Sequence, residues 1–234
     1  MDDPWAAGAN AGPSAAPSRP ALDRDERDIK DHVLRMGALV EAQIRSAVRA
    51  LRDRDTALAD AVIAADAGVN EAQRTTSELI AMTIATQQPV ARDLRFLLSL
   101  DHVTFELERI GDHAAGIARQ ARRLAGEPPL ARTADLAGMG DLAAGLVAAV
   151  VRTIVDVDEE AARRAAAQDD EIDRRYREVF GELLELMRAD PANVEPGARV
   201  LLAAHFVERI GDRATNIAED VVYLATGRVE DLNP

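Results

Sequence analysis

Two stretches decide the reading of this chain: Glu108-Arg-Ile-Gly-Asp112 and Glu208-Arg-Ile-Gly-Asp212, the same pentapeptide written twice, 100 residues apart. The match extends past the pentapeptides, with Ala114 and Ile117 answering Ala214 and Ile217. A second pair of landmarks lies upstream of each copy. Asp66-Ala-Gly-Val-Asn70 corresponds to Asp169-Asp-Glu-Ile-Asp173 at an offset of 103 residues, so a three-residue indel separates the landmarks. An internal repeat at this scale is read before any single element, because it fixes the architecture as one unit used twice.

The unit is helical. Alanine, leucine, glutamate and arginine dominate long stretches nearly empty of proline and glycine, and strand-like alternation is missing. Turn residues and prolines fall near residues 53–56, 87–89, 126–129, 156–158 and 190–196. These breaks predict six helices, over 23–54, 56–87, 89–126, 134–156, 158–190 and 194–227, with Gly227 as a glycine stop. The repeat makes the first three equivalent to the last three. The fold class expected is all-α: two tandem three-helix bundles over 23–126 and 134–229, joined by a linker over 127–133 that carries Pro128-Pro129. Residues 1–22, rich in Ala, Gly, Pro and Ser, are read as a disordered tail, and 230–234 as a C-terminal tail.

Helical phase divides the pentapeptide into parts. Val103, Leu107, Ile110, Ala114, Ile117, Ala121 and Leu124 recur at spacings of three and four, and Val207, Ile210, Ala214, Ile217, Val221 and Leu224 repeat the stripe. Ile110 and Ile210 therefore face the core. Glu108 with Asp112, and Glu208 with Asp212, stand one turn apart beside that seam, where like charges repel unless a hard cation bridges them. Gly111 and Gly211 each cost a helix about 1 kcal/mol relative to alanine, and both sit beside the aspartate, as close approach of a neighbouring helix or a bound group requires.

A single acidic pair in a chain of net charge −13 is ordinary surface charge, and Arg109 or Arg209 is placed to pair with the aspartate three residues on. Recurrence in both halves argues for a site. Oxygen donors without thiolate suit magnesium, calcium, manganese or iron, with zinc if a histidine joins. One pair cannot fill a coordination shell, and Asp66 with Asn70, or Asp169 with Asp173, on the preceding helix could supply further oxygens, so convergence of the two helices is the testable expectation. The candidate ligands are Asp66, Glu108 and Asp112 in the first half, and Asp169, Asp173, Glu208 and Asp212 in the second. His205, Asp101 and Glu219 share their faces as weaker candidates.

Several function classes are disfavoured. With no cysteine among 234 residues, thiol catalysis and thiolate metal sites are excluded. The acidic balance repels nucleic acid and anionic lipid. No Glu-x-x-His di-iron signature, glycine-rich phosphate loop or nucleophile motif is present. The start lacks a secretory signal, and no later run of about 18 uncharged apolar residues exists, so a cytoplasmic protein is expected.

Ala85-Thr-Gln-Gln-Pro-Val-Ala-Arg-Asp-Leu-Arg95, Leu107-Glu-Arg-Ile-Gly-Asp-His113 and Glu208-Arg-Ile-Gly-Asp212 with Asn216-Ile-Ala-Glu219 together resemble the PhoU family, over about residues 23–227. The resemblance implies two similar three-helix bundles, multinuclear metal clusters on Glu/Asp-x-x-x-Asp motifs, and a homodimer. It implies a non-enzymatic negative regulator of phosphate uptake, linking the ATP-binding subunit of a phosphate ABC transporter to a phosphate-responsive sensor histidine kinase and meeting the membrane only through these partners. Asn70 departs from the family's acidic pattern, and Arg213 replaces the histidine of the first copy. Two alternatives stand beside this reading: a carboxylate-bridged metalloenzyme on a helical bundle, and a metal-free structural adaptor.

Overall fold

The structure, a computed structural model, describes residues 19–127, 130 and 135–233. Seven α-helices follow in order: α1 Pro20–Asp53, α2 Thr56–Gln87, α3 Arg92–Leu124, α4 Leu136–Asp156, α5 Glu159–Ala166, α6 Asp169–Ala189 and α7 Val194–Thr226, with a single 3₁₀ turn, Pro191–Asn193, before the last. The predicted tail of residues 1–22 lies outside the described residues as far as 18. Its last three residues already belong to α1, because Pro20 serves as a first-turn residue whose missing N–H costs nothing there. Of the predicted linker, only Glu127 and Leu130 are described, and Leu130 is buried.

The predicted fifth helix, 158–190, is divided between α5 and α6. Ala167 and Gln168 keep helical dihedrals, but the Gln168 N–H turns to Ala165 O at 2.9 Å, a 3₁₀-type bond that tightens the backbone without ending it. Neither residue is glycine or proline, so nothing in the composition marks the interruption. Together α5 and α6 occupy the place of α2, and the six-helix plan stands.

The repeat persists down to the turns. Arg54 and Val157, 103 residues apart, both adopt left-handed φ (54° and 52°). The aspartate after each caps the next helix, Asp55 accepting from Leu58 N at 2.9 Å and Asp158 from Ala161 N at 3.0 Å. Val157 is β-branched in a region that costs it about 1 kcal/mol or more, and the flanking helices hold it there.

Within each bundle the third helix is central: α3 packs on α1 and α2, and α7 on α4, α5 and α6. The stripes read from the sequence form these cores, with Leu107, Ile110, Ile117, Val207, Ile210 and Ile217 wholly buried. The bundles then lie side by side, α3 against α7 and α1 against α4, and share one continuous apolar core.

Both contacts between the halves obey the repeat. On α1 and α4, Gly37 receives the Val151 side chain, and 103 residues away in each partner Gly140 receives Val48. A Cβ on Gly37 would lie 2.7 Å from Val151 Cγ1, inside van der Waals contact. On α3 and α7 the two equivalent slots hold different chemistry. In one, Phe206 covers Gly116 and stacks on His113, ring centroids 5.8 Å apart. In the other, Glu106 takes the place of Phe206 and accepts from Arg213 Nη1 and Asn216 Nδ2, each at 3.3 Å. His102 Nδ1 and Asp220 Oδ2, 2.7 Å apart, continue this polar slot along the interface.

By length and composition α4 alone among the described helices is apolar enough to cross a membrane. Its apolar residues are instead those that meet α1, α5, α6 and α7, with Leu146, Val147 and Val150 wholly buried.

Candidate metal centre

Asp169 opens α6, one helical turn before Asp173, and α7 packs alongside with Glu208 and Asp212. Asp169, Asp173 and Asp212 each bring a carboxylate oxygen within 4.8 Å of the others, the one such cluster among the described residues. Asp169 is 2% exposed, and its Oδ1 has no hydrogen-bond partner. Its Oδ2 accepts from Asn233 Nδ2 at 3.0 Å and from Thr215 Oγ1 at 3.4 Å. The acid is thus held by one oxygen while the other is left bare beside two further carboxylates.

Gly211 makes this approach possible. A Cβ there would overlap Asp169 Oδ1 outright. The glycine is tolerated in the middle of α7 because the carboxylate from α6 occupies the volume of its absent side chain.

Electrostatics record the crowding. Burial, with Asp212 and Asp173 adding their charge, pushes Asp169 up to about 7. Burial also raises Glu208, with Asp212 adding to it. Asp212 is raised by burial and partly relieved by Arg209, which donates to its Oδ2 at 2.6 Å. Glu208 Oε2 is buried without a hydrogen bond, His205 Nδ1 standing 3.1 Å away but outside hydrogen-bond geometry. Four acids on two helices, two of them with an orphaned buried oxygen, carry a burial cost that a hard cation among the three converging aspartates would offset. Arg213, next to Asp212, turns away from the acids and gives its guanidinium to Glu106 on α3.

The first half brings its residues to the same places with a different outcome. Asp66 on α2 faces Gly111 on α3, its Oδ1 lying 3.5 Å from where a Cβ would stand. That oxygen, the counterpart of the bare one on Asp169, accepts from Gln43 Nε2 at 3.3 Å. Glu108 and Asp112 sit on the adjoining turn of α3, flanked by Arg109 at 3.9 and 4.0 Å. Glu108 is raised by burial and by Asp112. Asn70 replaces the second acid, and its Oδ1 is buried without a partner. An amide therefore closes the first-half cradle from the α1 side, where the second-half cradle has Leu146 at the equivalent position of α4.

Asp101 accepts from Ser77 Oγ at 2.6 Å and Glu219 from Leu232 N at 2.9 Å, so both serve packing within their own half. Three contributors lay outside the sequence reading: Gln43, Thr215 and Asn233. Gln43 had a signal, since it breaks the apolar stripe Val33, Met36, Val40, Ala47 of α1 at a core position. Thr215 and Asn233 had none, because their partner lies 46 and 64 residues away.

The family described as PhoU domain matches residues 33–121 and 136–221, once per half. The chain is 33% identical over 217 residues to the phosphate-specific transport system accessory protein PhoU homolog of Clostridium acetobutylicum, covering 92% of this chain and 99% of that one. It is 36% identical over 202 residues to the homolog of the same description from Pseudomonas aeruginosa, covering 86% and 83%. Among solved structures, PhoU from Pseudomonas aeruginosa superposes with a TM-score of 0.85 at 35% identity, covering 88% of this chain and 100% of that one. The phosphate transport system regulatory protein PhoU from Streptococcus pneumoniae gives 0.82 at 29% identity, covering 90% and 99%.

Proposed function

The chain is a member of the PhoU family, and on that premise we propose that it is an accessory regulator of phosphate transport, restraining uptake and phosphate-starvation signalling when phosphate is plentiful. In this reading it works by docking rather than turnover, joining the ATP-binding subunit of a phosphate ABC transporter to a phosphate-responsive sensor histidine kinase. The observation that carries the reading is coverage: both halves match the family, and the alignment spans nearly the whole of a relative described as a transport accessory protein. A cytoplasmic, homodimeric protein that reaches the membrane through its partners fits this role. Leu98 and Phe105, seven residues apart on the same face of α3 and each about half exposed, supply apolar surface suited to contact with another chain.

The second-half carboxylates are proposed to hold a hard cation, with Asp169, Asp173 and Asp212 as ligands and Glu208 beside them. The bare, buried Oδ1 of Asp169 supports this most directly. The ion would cancel the repulsion among these acids and pin α6 to α7, a structural role for the regulator's second bundle. The first-half cradle, closed by Gln43 and lacking an acid at Asn70, fits a cation poorly. A metal-free adaptor is the reading favoured by the Arg209–Asp212 pair, which already neutralises one of the acids.

Co-purification tests the regulatory role. Tagged protein expressed with the transporter and the sensor kinase is expected to retain both when phosphate is abundant. Failure to retain either partner at high and at low phosphate counts decisively against it.

A further inference from the structure

After the Gly227 cap the chain turns back across the second bundle. Glu230 Oε2 lies 2.8 Å from Arg163 Nη2 on α5. Leu232 packs against the shared core while its N–H donates to Glu219 Oε1 on α7. Asn233 Nδ2 then donates to Asp169 Oδ2 on α6. Within six residues the segment is fastened to all three helices around the acidic cluster, and its last described contact is to the cluster's most buried member.

The partition of hydrogen bonds on Asp169 gives this contact its meaning. Oδ2 takes both donors, Thr215 and Asn233, and Oδ1 takes none. A donor on one oxygen fixes the plane of the carboxylate and so aims the other, the usual office of a partner standing behind a ligand. In the first half the carboxamide comes from Gln43, on a core helix, and covers the very oxygen that faces the glycine. In the second it comes from an exposed terminal segment and leaves that oxygen open. The same group closes one cradle and orients the other.

Resting on the reading of Asp169, Asp173 and Asp212 as a cation site, we infer that Asn233 is a positioning residue for that site, and that cation binding and docking of residues 228–233 reinforce each other. Coupling of this kind is reciprocal: whatever the docked segment adds to cation affinity, the cation returns to the segment's order. Occupancy of a partly buried centre would thereby be displayed at the surface, on a segment whose Arg228, Val229 and Asp231 are exposed.

The test titrates Mn²⁺ into the full chain by calorimetry and follows backbone amide exchange of residues 228–233 with and without the ion. Asn233→Ala is expected to weaken Mn²⁺ binding about tenfold. In the unaltered chain, saturating Mn²⁺ is expected to slow exchange of the segment by a similar factor, and in Asn233→Ala to leave it unchanged. Undiminished affinity in Asn233→Ala, or a segment whose exchange Mn²⁺ leaves alone or accelerates, overturns the inference while the site itself stands. Loss of binding in Asp212→Asn identifies the cluster as the place where Mn²⁺ sits. An unaltered chain that takes up no Mn²⁺ removes the site and the inference together.

Discussion

Gly111 and Gly211 occupy the same position of the repeat and answer to different neighbours. At Gly211 an added methyl overlaps Asp169 Oδ1 and meets Ile172 Cδ1 at 3.3 Å, so a buried carboxylate held by Thr215 and Asn233 must leave the cluster. At Gly111 it meets Gln43 Oε1 and Val69 Cγ1 at 3.2 Å, a fit that small shifts accommodate. Alanine in place of glycine inside a helix gains about 1 kcal/mol. Gly211→Ala, which displaces a buried carboxylate, is therefore expected to lower thermal stability and to lower Mn²⁺ affinity at least tenfold, whereas Gly111→Ala is expected to raise stability by up to about 1 kcal/mol and to leave Mn²⁺ affinity unchanged. Elemental analysis of the two variants, purified without chelator or metal-binding tag, beside thermal denaturation reads both effects. Equal metal content in the two variants would show that Asp169 is not a ligand. The repeated glycine was legible as a close approach from the sequence alone. What approaches it was not, because Asp169 lies 42 residues upstream and the amides that distinguish the cradles come from α1 and from the chain end.

Among the elements, α3 and α7 carry the difference between the halves in their pairing. Their interface has two slots related by the repeat, one filled by Phe206 over Gly116 and His113, the other by Glu106 against Asn216 and Arg213. Glu106 is 6% exposed, so truncating it strands a half-buried guanidinium and an amide; losing one partner of a buried pair costs about 3 kcal/mol or more. Glu106→Phe alone is expected to lose about that much in urea denaturation. Glu106→Phe with Arg213→His and Asn216→Gly copies the other slot and is expected to recover most of it, less about 1 kcal/mol for glycine in a helix. No recovery would mean that the slots differ in backbone spacing as well as side chains. Helix phase predicted the inner stripe of each element because burial selects it every three to four residues. It gave no account of the break between α5 and α6, where the Gln168 and Glu171 N–H groups bond three residues back with no change of residue class, nor of Arg213, whose direction depends on an acid 107 positions earlier.

For the molecule as a whole, the repeat was read as two bundles in tandem, and the structure adds that they are locked together. The lock is reciprocal: Val151 enters Gly37, Val48 enters Gly140, and the acid–guanidinium slot lies on the same boundary. Because the apolar core runs through this boundary, the halves are expected to unfold together, with one calorimetric transition whose measured and van't Hoff enthalpies agree. Gly140→Ala places a methyl inside the volume of Val48 and is expected to destabilise by about 1–3 kcal/mol through overpacking. Val48→Ala opens a cavity and is expected to cost about 1–2 kcal/mol. Combined, each relieves the other, so the double variant is expected to lose less than the two together by at least about 0.5 kcal/mol, the signature of residues in direct contact. Additive losses with two separate transitions would place the halves among independently folding units.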